Sequence, residues 1–371
     1  MRTIILLISL FFSGLAYAMA SMGIIAYEHG DYELAIKELK PAAEQGDSAA
    51  MYYLALMYLQ GNGVEKNLNT AIEWLEKAAN KGLAGAQLVL GYSYDIGSGV
   101  PQSYEMAAKW YMQAAKQNNP IAQYNVGLMY YKGDGLAKDQ RKSFKWLLKA
   151  ANQGYPNAMA SVAWRYDNGL GTAKNFQEAA KWYQKAAHKG LPWAMYNLGL
   201  MYDAGDGVSE NPETAFNWIS RSAERGYPRA QASLGFRYAT GKGVKANQSM
   251  AVSWYQKAAD KGNVIAQYNL ALKYMKGQGI TKSYRKALHW FEKAAMSGYT
   301  NAQIRTGYLY MFGLGVSKDA VKAYAWYTLA AAKGHSQAGK DLARLTKDMT
   351  PDQIQQGKDM AKELLVKLNR P

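Results

Sequence analysis

The sequence predicts an all-α solenoid in which one helical hairpin of 36 residues recurs along the chain. Three columns of residues support this prediction, because tryptophans, paired glycines and polar residues suited to capping a helix all recur at that interval. Self-similarity with a period of about 20–50 residues is typical of repeat architectures, whose units stack to bury a continuous core. The tryptophans are Trp74, Trp110, Trp146, Trp182, Trp218, Trp254, Trp290 and Trp326.

The first helix of each repeat is predicted to begin about two residues after a glycine. Proline stands at this position in four repeats, at Pro120, Pro156, Pro192 and Pro228. Proline suits the first position of a helix because the N–H that it lacks would have no intrahelical partner there. An alanine, a leucine and a tyrosine then follow at intervals of four, as in Ala194, Leu198 and Tyr202, which places all three on one helical face.

Paired glycines end the first helix, because glycine readily adopts the left-handed backbone of a helix C-terminus and a tight loop. The pairs are Gly61/Gly63, Gly97/Gly99, Gly133/Gly135, Gly169/Gly171, Gly205/Gly207, Gly241/Gly243, Gly277/Gly279 and Gly313/Gly315. The second helix then opens on a polar N-cap, which contributes about 1 kcal/mol. These N-caps are Asn67, Ser103, Asp139, Asn175, Asn211, Asn247, Ser283 and Asp319. The tryptophan follows on the second helix, and its regular spacing predicts a core residue rather than a ligand-stacking row.

Both ends of the array depart from the pattern, as is typical of capping units whose outer face meets water. Residues 19–45 are predicted to form an N-terminal capping helical hairpin, with Glu38 in place of the tryptophan. Residues 46–334 hold eight regular repeats of 36 residues. Residues 335–371 are predicted to form C-terminal capping helices, the last of which begins at Pro351.

Residues 1–18 have the pattern of a cleaved secretory signal peptide. Arg2 supplies a positive start, an apolar run extends from Ile4 to Phe12, and a small-residue cleavage site ends at Ala18. An uncleaved membrane anchor is the alternative, but the apolar run is short for a bilayer span. We therefore expect a periplasmic or secreted protein with no transmembrane segment after cleavage.

The repeat resembles the Sel-1-like repeat family, which is related to the tetratricopeptide repeats. Residues 194–223 contain almost whole the pattern Ala-x3-Leu-Gly-x2-Tyr-x2-Gly-x-Gly-Val, followed by Ala-x2-Trp-x2-Lys-Ala-Ala. The resemblance implies a right-handed superhelical α-solenoid whose first helices line a concave groove for partners. It also implies a scaffold for protein–protein interaction, which in bacterial members serves envelope assembly, signalling or host interaction.

Two variable columns of the first helix are the candidate partner-binding residues. Tyrosine in one column is followed four residues later by leucine, whereas alanine is followed by tryptophan or phenylalanine, so local volume is kept. The aromatic members of the candidate groove are Tyr52, Tyr92, Tyr124, Trp164, Tyr196, Phe236, Tyr268 and Tyr308. Two interpretations remain open, namely alternating packing along an inner wall and a ladder of aromatic side chains available to a peptide or a sugar ring.

The alternation indicates duplication of a two-repeat block. Gln123-Tyr124-Asn125 is followed by a corresponding Met195-Tyr196-Asn197, 72 residues later, and Arg165 and Arg237 obey the same rule. We therefore expect the same groove chemistry in every second repeat, which suits an extended or repetitive partner. The two arginines, placed on the groove helix, are further candidates for contacts with that partner.

The net charge is +16, and eleven of the basic residues form two columns in the last turn of the second helix or just beyond it, three and seven residues after the tryptophan. Cations at this place complement the helix dipole, so we expect much of the excess charge to be structural. An anionic envelope polysaccharide or cell-wall glycan remains an alternative partner. Nucleic acid is not expected for an exported protein.

Catalytic motifs are not found in the sequence. The chain has no cysteine, its four histidines share no column of the repeat, and neither a carboxylate pair nor a metal-ligand spacing stands outside the structural columns. We therefore expect no enzymatic activity, no cofactor and no metal. The hypothesis is an exported scaffold that binds a protein or peptide, and the alternative is binding of an anionic glycan.

Overall fold

A computed structural model describes residues 20–368, so the predicted signal peptide lies outside the described residues. These residues form twenty α-helices and one short 3₁₀ turn, without a strand. The helices are α1 (residues 20–28), α2 (Tyr32–Glu44), α3 (Ser48–Gln60), α4 (Leu68–Asn80), α5 (Ala84–Ile96), α6 (Tyr104–Lys116), α7 (Pro120–Lys132), α8 (Gln140–Asn152), α9 (Pro156–Asn168), α10 (Phe176–His188), α11 (Pro192–Ala204), α12 (Pro212–Glu224), α13 (Pro228–Thr240), α14 (Gln248–Asp260), α15 (Val264–Lys276), α16 (Tyr284–Met296), α17 (Thr300–Phe312), α18 (Ala320–Ala332), α19 (Ser336–Leu345) and α20 (Pro351–Leu368).

The predicted all-α repeat architecture is confirmed. Odd-numbered helices from α3 to α17 are the first helices of the repeats, and even-numbered helices from α4 to α18 are the second helices. Contacts between helices divide the chain into two units. The first ends at Ala186 and the second begins at Ala187. We call them unit 1 and unit 2, and each is described by itself.

The glycine pairs end the first helices as predicted, and the backbone requires glycine at the two positions for different reasons. The first glycine is left-handed, as at Gly205 with φ of 74°. The second glycine allows close approach of the preceding repeat, since a Cβ on Gly171 would lie 2.0 Å from the carbonyl oxygen of Gln140. Only glycine satisfies both demands without moving the backbone.

The predicted N-caps of the second helices are confirmed in all eight repeats. In each, the side-chain oxygen of the cap accepts a hydrogen bond from the backbone N–H three residues later, as between Asn175 and Glu178 at 3.0 Å. These bonds satisfy donors that the helix itself leaves unpaired. The local sequence therefore sets where every second helix begins.

The tryptophans divide into two groups, so the predicted core role describes only part of the column. Trp110, Trp182, Trp290 and Trp326 are buried, whereas Trp74, Trp146, Trp218 and Trp254 are half-buried. The basic residue three positions later lies over the ring in six repeats, with the cation 4.0 to 4.7 Å from the ring centroid. A cation at this distance from an aromatic face is attracted by the ring quadrupole.

A second aromatic column, directly after the tryptophan, is more deeply buried. Tyr111, Tyr183, Tyr255 and Tyr327 are almost completely removed from solvent. Tyr111 packs against Gly91, where an added Cβ would lie 2.7 Å from the ring. Burial, followed by the negative charge of Asp95, raises the pKa of the Tyr111 hydroxyl well above its ordinary value. The small residue of the first helix therefore makes room for this ring.

Both ends of the described chain are helical. α1 and α2 form the N-terminal hairpin, with left-handed Gly30 between them. At the other end α19 is shorter than a regular first helix, and α20 is longer than a regular second helix. α20 begins with a capping box, in which Thr350 and Gln353 each accept a hydrogen bond from the other's backbone N–H.

Candidate functional site

The predicted groove aromatics all lie on what we call the first-helix face, the surface formed by side chains of the first helices. Tyr92, Phe236 and Tyr308 are exposed, with 54%, 50% and 38% of each residue's surface accessible. The other five are half-buried, namely Tyr52, Tyr124, Trp164, Tyr196 and Tyr268. The column that contains Tyr92 and Phe236 is therefore the more accessible of the two.

Three of the four half-buried tyrosines contact a second aromatic ring from the start of the next first helix. Tyr196 contacts Tyr227 with ring centroids 5.6 Å apart, and Tyr268 contacts Tyr299 at 5.1 Å. In unit 1, Tyr124 contacts Tyr155 at 5.3 Å in the same edge-to-face manner. Such pairs stabilise the wall by about 0.5–1.5 kcal/mol each beyond burial. This column therefore both packs and faces the surface.

One cleft on the first-helix face of unit 2 brings together two predicted residues, Tyr196 and Phe236. We call it cleft A, and its volume is about 520 Å³. Three consecutive first helices, α11, α13 and α15, form its walls. Its lining residues are Tyr196, Arg229, Ala232, Ser233, Phe236, Asn263, Ile265 and Asn269.

A second cleft in unit 2, cleft B, has the same construction one two-repeat block later. Its volume is about 230 Å³, and its walls come from α15, α17 and α19. Its lining residues are Tyr268, Asn301, Ile304, Arg305, Tyr308, His335, Gln337 and Asp341. Each of these stands 72 residues after a lining residue of cleft A, so the two clefts are built from equivalent positions.

Polar side chains in both clefts are available to a ligand. Within the described residues, Arg229 and Asn269 of cleft A and Arg305 of cleft B make no hydrogen bond or ion pair with the protein. His335 of cleft B has a buried Nδ1 without a hydrogen-bond partner. Desolvation raises the pKa of the Tyr196 hydroxyl, which Arg229 partly opposes, so this hydroxyl stays protonated at neutral pH. An apolar wall with a few convergent polar groups is typical of ligand sites.

Sequence reasoning found the aromatic residues of the clefts but missed their polar partners. Arg229 stands seven residues before Phe236, two helical turns away, and therefore on the same face. Asn269 stands directly after Tyr268 and lines the neighbouring cleft. The spacing of seven was a signal in the sequence, whereas the meeting of three helices was not.

Arg165 and Arg237 are not placed to contact a partner, which corrects the expectation from the sequence. They are only 2% and 1% exposed. In unit 1, Arg165 donates hydrogen bonds to Ser143 Oγ at 2.9 Å and to the Ser161 carbonyl at 3.3 Å. Its guanidinium lies over the Tyr131 ring, 5.1 Å from the centroid. Burial lowers the pKa of Arg165 to about 10, although Tyr131 and Tyr124 oppose this.

Arg237 of unit 2 is neutralised by a carboxylate instead. It forms an ion pair with Asp203, which is itself only 14% exposed in its side chain. Arg237 also donates hydrogen bonds to the carbonyl oxygens of Lys242 and Pro212, at 3.2 and 3.4 Å. Both arginines therefore tie first helices to neighbouring segments within their own units, a role that their helical positions alone did not reveal.

Side chains of the two basic columns also make contacts within the repeat array. The cations three residues after the tryptophan lie over its ring, as described above. In the column seven residues after it, Lys261 and Lys333 donate hydrogen bonds of 2.7 Å to Gly226 and Gly298 carbonyl oxygens. These contacts add a cation–π role to the expected complement of the helix dipole.

An apolar cleft of about 460 Å³ is lined mainly by residues of α18 and α20. Leu329, Leu365 and Leu368 are among the residues that line it. α20 is 18 residues long, whereas α18 has 13, so the end of α20 extends past its neighbour. We attribute this cleft to that difference in length.

Within residues 20–368, no helix has both the length and the apolar character needed to cross a bilayer. The same residues contain no cluster of three or more side chains arranged to hold a metal ion. Cleft A and cleft B contain predicted groove residues and are therefore the candidate binding sites.

Comparison with known structures shows that the fold is a helical-hairpin solenoid. A structure of a protective antigen present in uropathogenic Escherichia coli strains, which displays an SLR fold, aligns with a TM-score of 0.64 and 28% identity, over 97% of this chain and 94% of that one. A Sel1 repeat protein from Oxalobacter formigenes aligns with a TM-score of 0.65 and 34% identity, over 84% and 90% of the two chains. The search of curated proteins returned no match.

The chain belongs to the Sel1 repeat family. The family model matches nine segments, at residues 16–47, 48–83, 84–119, 120–155, 156–191, 194–227, 228–263, 264–299 and 300–335. The first segment overlaps the N-terminal hairpin, which we had predicted as a cap, and the other eight correspond to the predicted repeats. Sel1 repeat solenoids are generally scaffolds for protein–protein interaction and generally not catalytic.

Proposed function

We propose that this protein is an exported, non-catalytic adaptor that binds an extended segment of a partner protein along the first-helix face of unit 2. The observation that carries the proposal is the repetition of one cleft at equivalent positions, 72 residues apart. An extended partner with regularly spaced side chains can use both clefts with the same mode of binding. The family's general role as a protein-binding scaffold supports the choice of partner.

The exposed aromatic side chains at the two clefts favour this function. Phe236 and Tyr308 keep 50% and 38% of their surface accessible, and a partner bound in the clefts covers this apolar surface. Aromatic anchors of this kind often contribute most of the energy of a protein interface. Nucleic acid is not proposed, since the basic columns are used in contacts within the repeats.

An anionic glycan is the second candidate, because an aromatic ring next to an arginine in cleft A also suits an acidic sugar. The two candidates differ in their dependence on salt. Binding of a polyanion through arginine weakens steeply as salt rises, whereas a protein complex anchored by aromatic burial is retained.

The proposed export rests on the signal-peptide pattern of residues 1–18. Cell fractionation tests it, together with determination of the mature N-terminus by mass spectrometry. We expect the protein outside the cytoplasm with Met19 as its first residue. A cytoplasmic protein that retains Met1 would contradict this part of the proposal.

The experiment that tests partner binding uses photo-crosslinking amino acids placed singly at Phe236 and Tyr308, in cells that express the full chain. We expect crosslinks to the same partner protein from both positions. The control is Met250, which is 38% exposed but lies on a second helix. Equal crosslinking from Met250, or none from either cleft, would contradict the proposal.

A matched pair of variants then separates binding from stability. Phe236→Ala should weaken binding of the crosslinked partner by about tenfold or more, with little change in Tm, because the side chain is half exposed. Met250→Ala removes an exposed apolar side chain of a second helix, outside both clefts, and should leave binding unchanged. If Phe236→Ala lowers only Tm, its ring is part of the packing.

A further inference from the structure

Cleft A and cleft B differ in charge although their positions are equivalent. Cleft A contains one charged side chain, Arg229, and no carboxylate among its lining residues. In cleft B the equivalent position is Asn301, and the cleft instead contains Arg305 and Asp341. At neutral pH the arginine and the aspartate of cleft B balance, whereas cleft A keeps a net positive charge.

Asp203, whose charge acts on Tyr196 of cleft A, does not change this result. Asp203 is bound in the ion pair with Arg237 and also lies 3.4 Å from Lys242. Within the described residues Arg229 forms no ion pair, and the residue is exposed where it lines the cleft. An unpaired arginine can form two parallel hydrogen bonds with a carboxylate.

The remaining lining of cleft A is suited to an apolar side chain and a polypeptide backbone. Phe236 and Ile265 are 50% and 48% exposed and supply the apolar surface. Ser233 and Asn269 supply donors and acceptors beside it, and Asn269 makes no hydrogen bond within the described residues. Peptide amides need such partners when an interface covers them.

We infer that cleft A recognises a peptide segment in which an aspartate or glutamate stands next to a large apolar residue. The carboxylate binds Arg229, and the apolar side chain packs on Phe236 and Ile265. Cleft B takes an equivalent apolar side chain without the acidic neighbour. The difference in charge thereby sets the register of an extended partner, which could otherwise shift by one two-repeat block. This inference rests on the proposed function.

A display library of random linear peptides tests the inference with the full mature chain as bait. Selected peptides should be enriched in an acidic residue at a constant offset from an aromatic or branched aliphatic residue. Arg229→Glu should lower the affinity of these peptides by about tenfold, because it replaces an attraction with a repulsion. When the Arg229→Glu variant is the bait, the selected peptides should instead be enriched in lysine or arginine at that offset.

Arg285→Glu is the matched control. Arg285 is also exposed in unit 2 but lies on the second helix α16, so this variant changes the net charge equally without altering cleft A. It should select the same acidic peptides as the natural chain. Circular dichroism and the thermal unfolding of each variant show whether it is folded.

The outcomes separate the inference from the proposed function. Enriched peptides that lack acidic residues, or that Arg229→Glu and Arg285→Glu bind equally, overturn the inference and leave peptide binding in place. A selection without any enriched peptide contradicts both. Loss of enrichment when an acidic polysaccharide is added, with direct retention of that polysaccharide at low salt only, identifies the glycan as the ligand.

Discussion

Arg165 in unit 1 and Arg237 in unit 2 occupy the same position of a first helix, and both are almost completely buried. Their surroundings differ at two other equivalent positions. Asp203 stands 34 residues before Arg237 and forms an ion pair with it, whereas the residue 34 before Arg165 is Tyr131, whose ring lies against the guanidinium. Ser143 is uncharged, and its hydroxyl oxygen accepts a hydrogen bond from the Arg165 guanidinium.

The comparison shows that one backbone position accepts two chemical solutions for a buried cation. In unit 2 the charge is paired, so removing one partner leaves the other uncompensated in a poorly solvated place. In unit 1 the charge is met by ring faces and neutral oxygens, and each of these groups tolerates its loss. Two arginines at the same position of the repeat therefore contribute differently to the free energy of unfolding.

The largest expected effect comes from breaking the ion pair on the acidic side. Asp203→Ala leaves Arg237 buried with only two carbonyl oxygens as acceptors. We expect a loss of about 3–5 kcal/mol in the free energy of unfolding, measured by urea denaturation. Asp206→Ala, in the adjacent loop, is the control and should change stability by less than about 0.5 kcal/mol. A small loss in Asp203→Ala would mean that Arg237 does not depend on the carboxylate.

A smaller effect separates the two arginines themselves. Methionine stands at the equivalent position in three other repeats, as Met57, Met129 and Met201, so Arg→Met is compatible with the local packing. Arg165→Met should stay within about 1 kcal/mol of the natural chain, because no charge is left behind. Arg237→Met should cost about 1–3 kcal/mol, because Asp203 keeps only Lys242. Equal costs in urea denaturation would contradict the comparison.

The smallest effect concerns a third use of the same carboxylate position. Asp95 is equivalent to Asp203, but it accepts a hydrogen bond of 3.4 Å from the Tyr111 hydroxyl instead of pairing with an arginine. Burial and Asp95 raise the pKa of Tyr111, so the folded chain holds this proton more tightly than the unfolded chain. The corresponding stability is present below the ordinary tyrosine pKa of about 10 and is lost as pH rises above it.

Tyr111→Phe tests this dependence. Between neutral pH and about pH 11, the natural chain should lose about 1 kcal/mol more stability than the variant, as measured by urea denaturation at each pH. A profile of Tyr111→Phe that equals the natural one would show that the phenol already ionises in the folded chain.

The repeat pattern predicted most of the fold because its signals are local. Each N-cap of a second helix lies three residues from the backbone N–H that it binds, and the first glycine of each pair is left-handed and ends its own first helix. Interactions of such short range are visible in a single sequence. The candidate site was predicted only in part, since the aromatic columns were visible but the polar residues that complete each cleft come from three different helices.

By itself, the sequence determined the family, the length of the repeat and the places where the two helices of each regular repeat begin and end. It did not determine which residue of a column is paired, exposed or stacked. The Tyr196 ring contacts Tyr227, Asp203 pairs with Arg237, and Arg229 remains free at cleft A. These outcomes depend on side chains that meet from different repeats. Helical periodicity specifies the direction of a side chain along its own helix, whereas the packing of helices decides what it contacts.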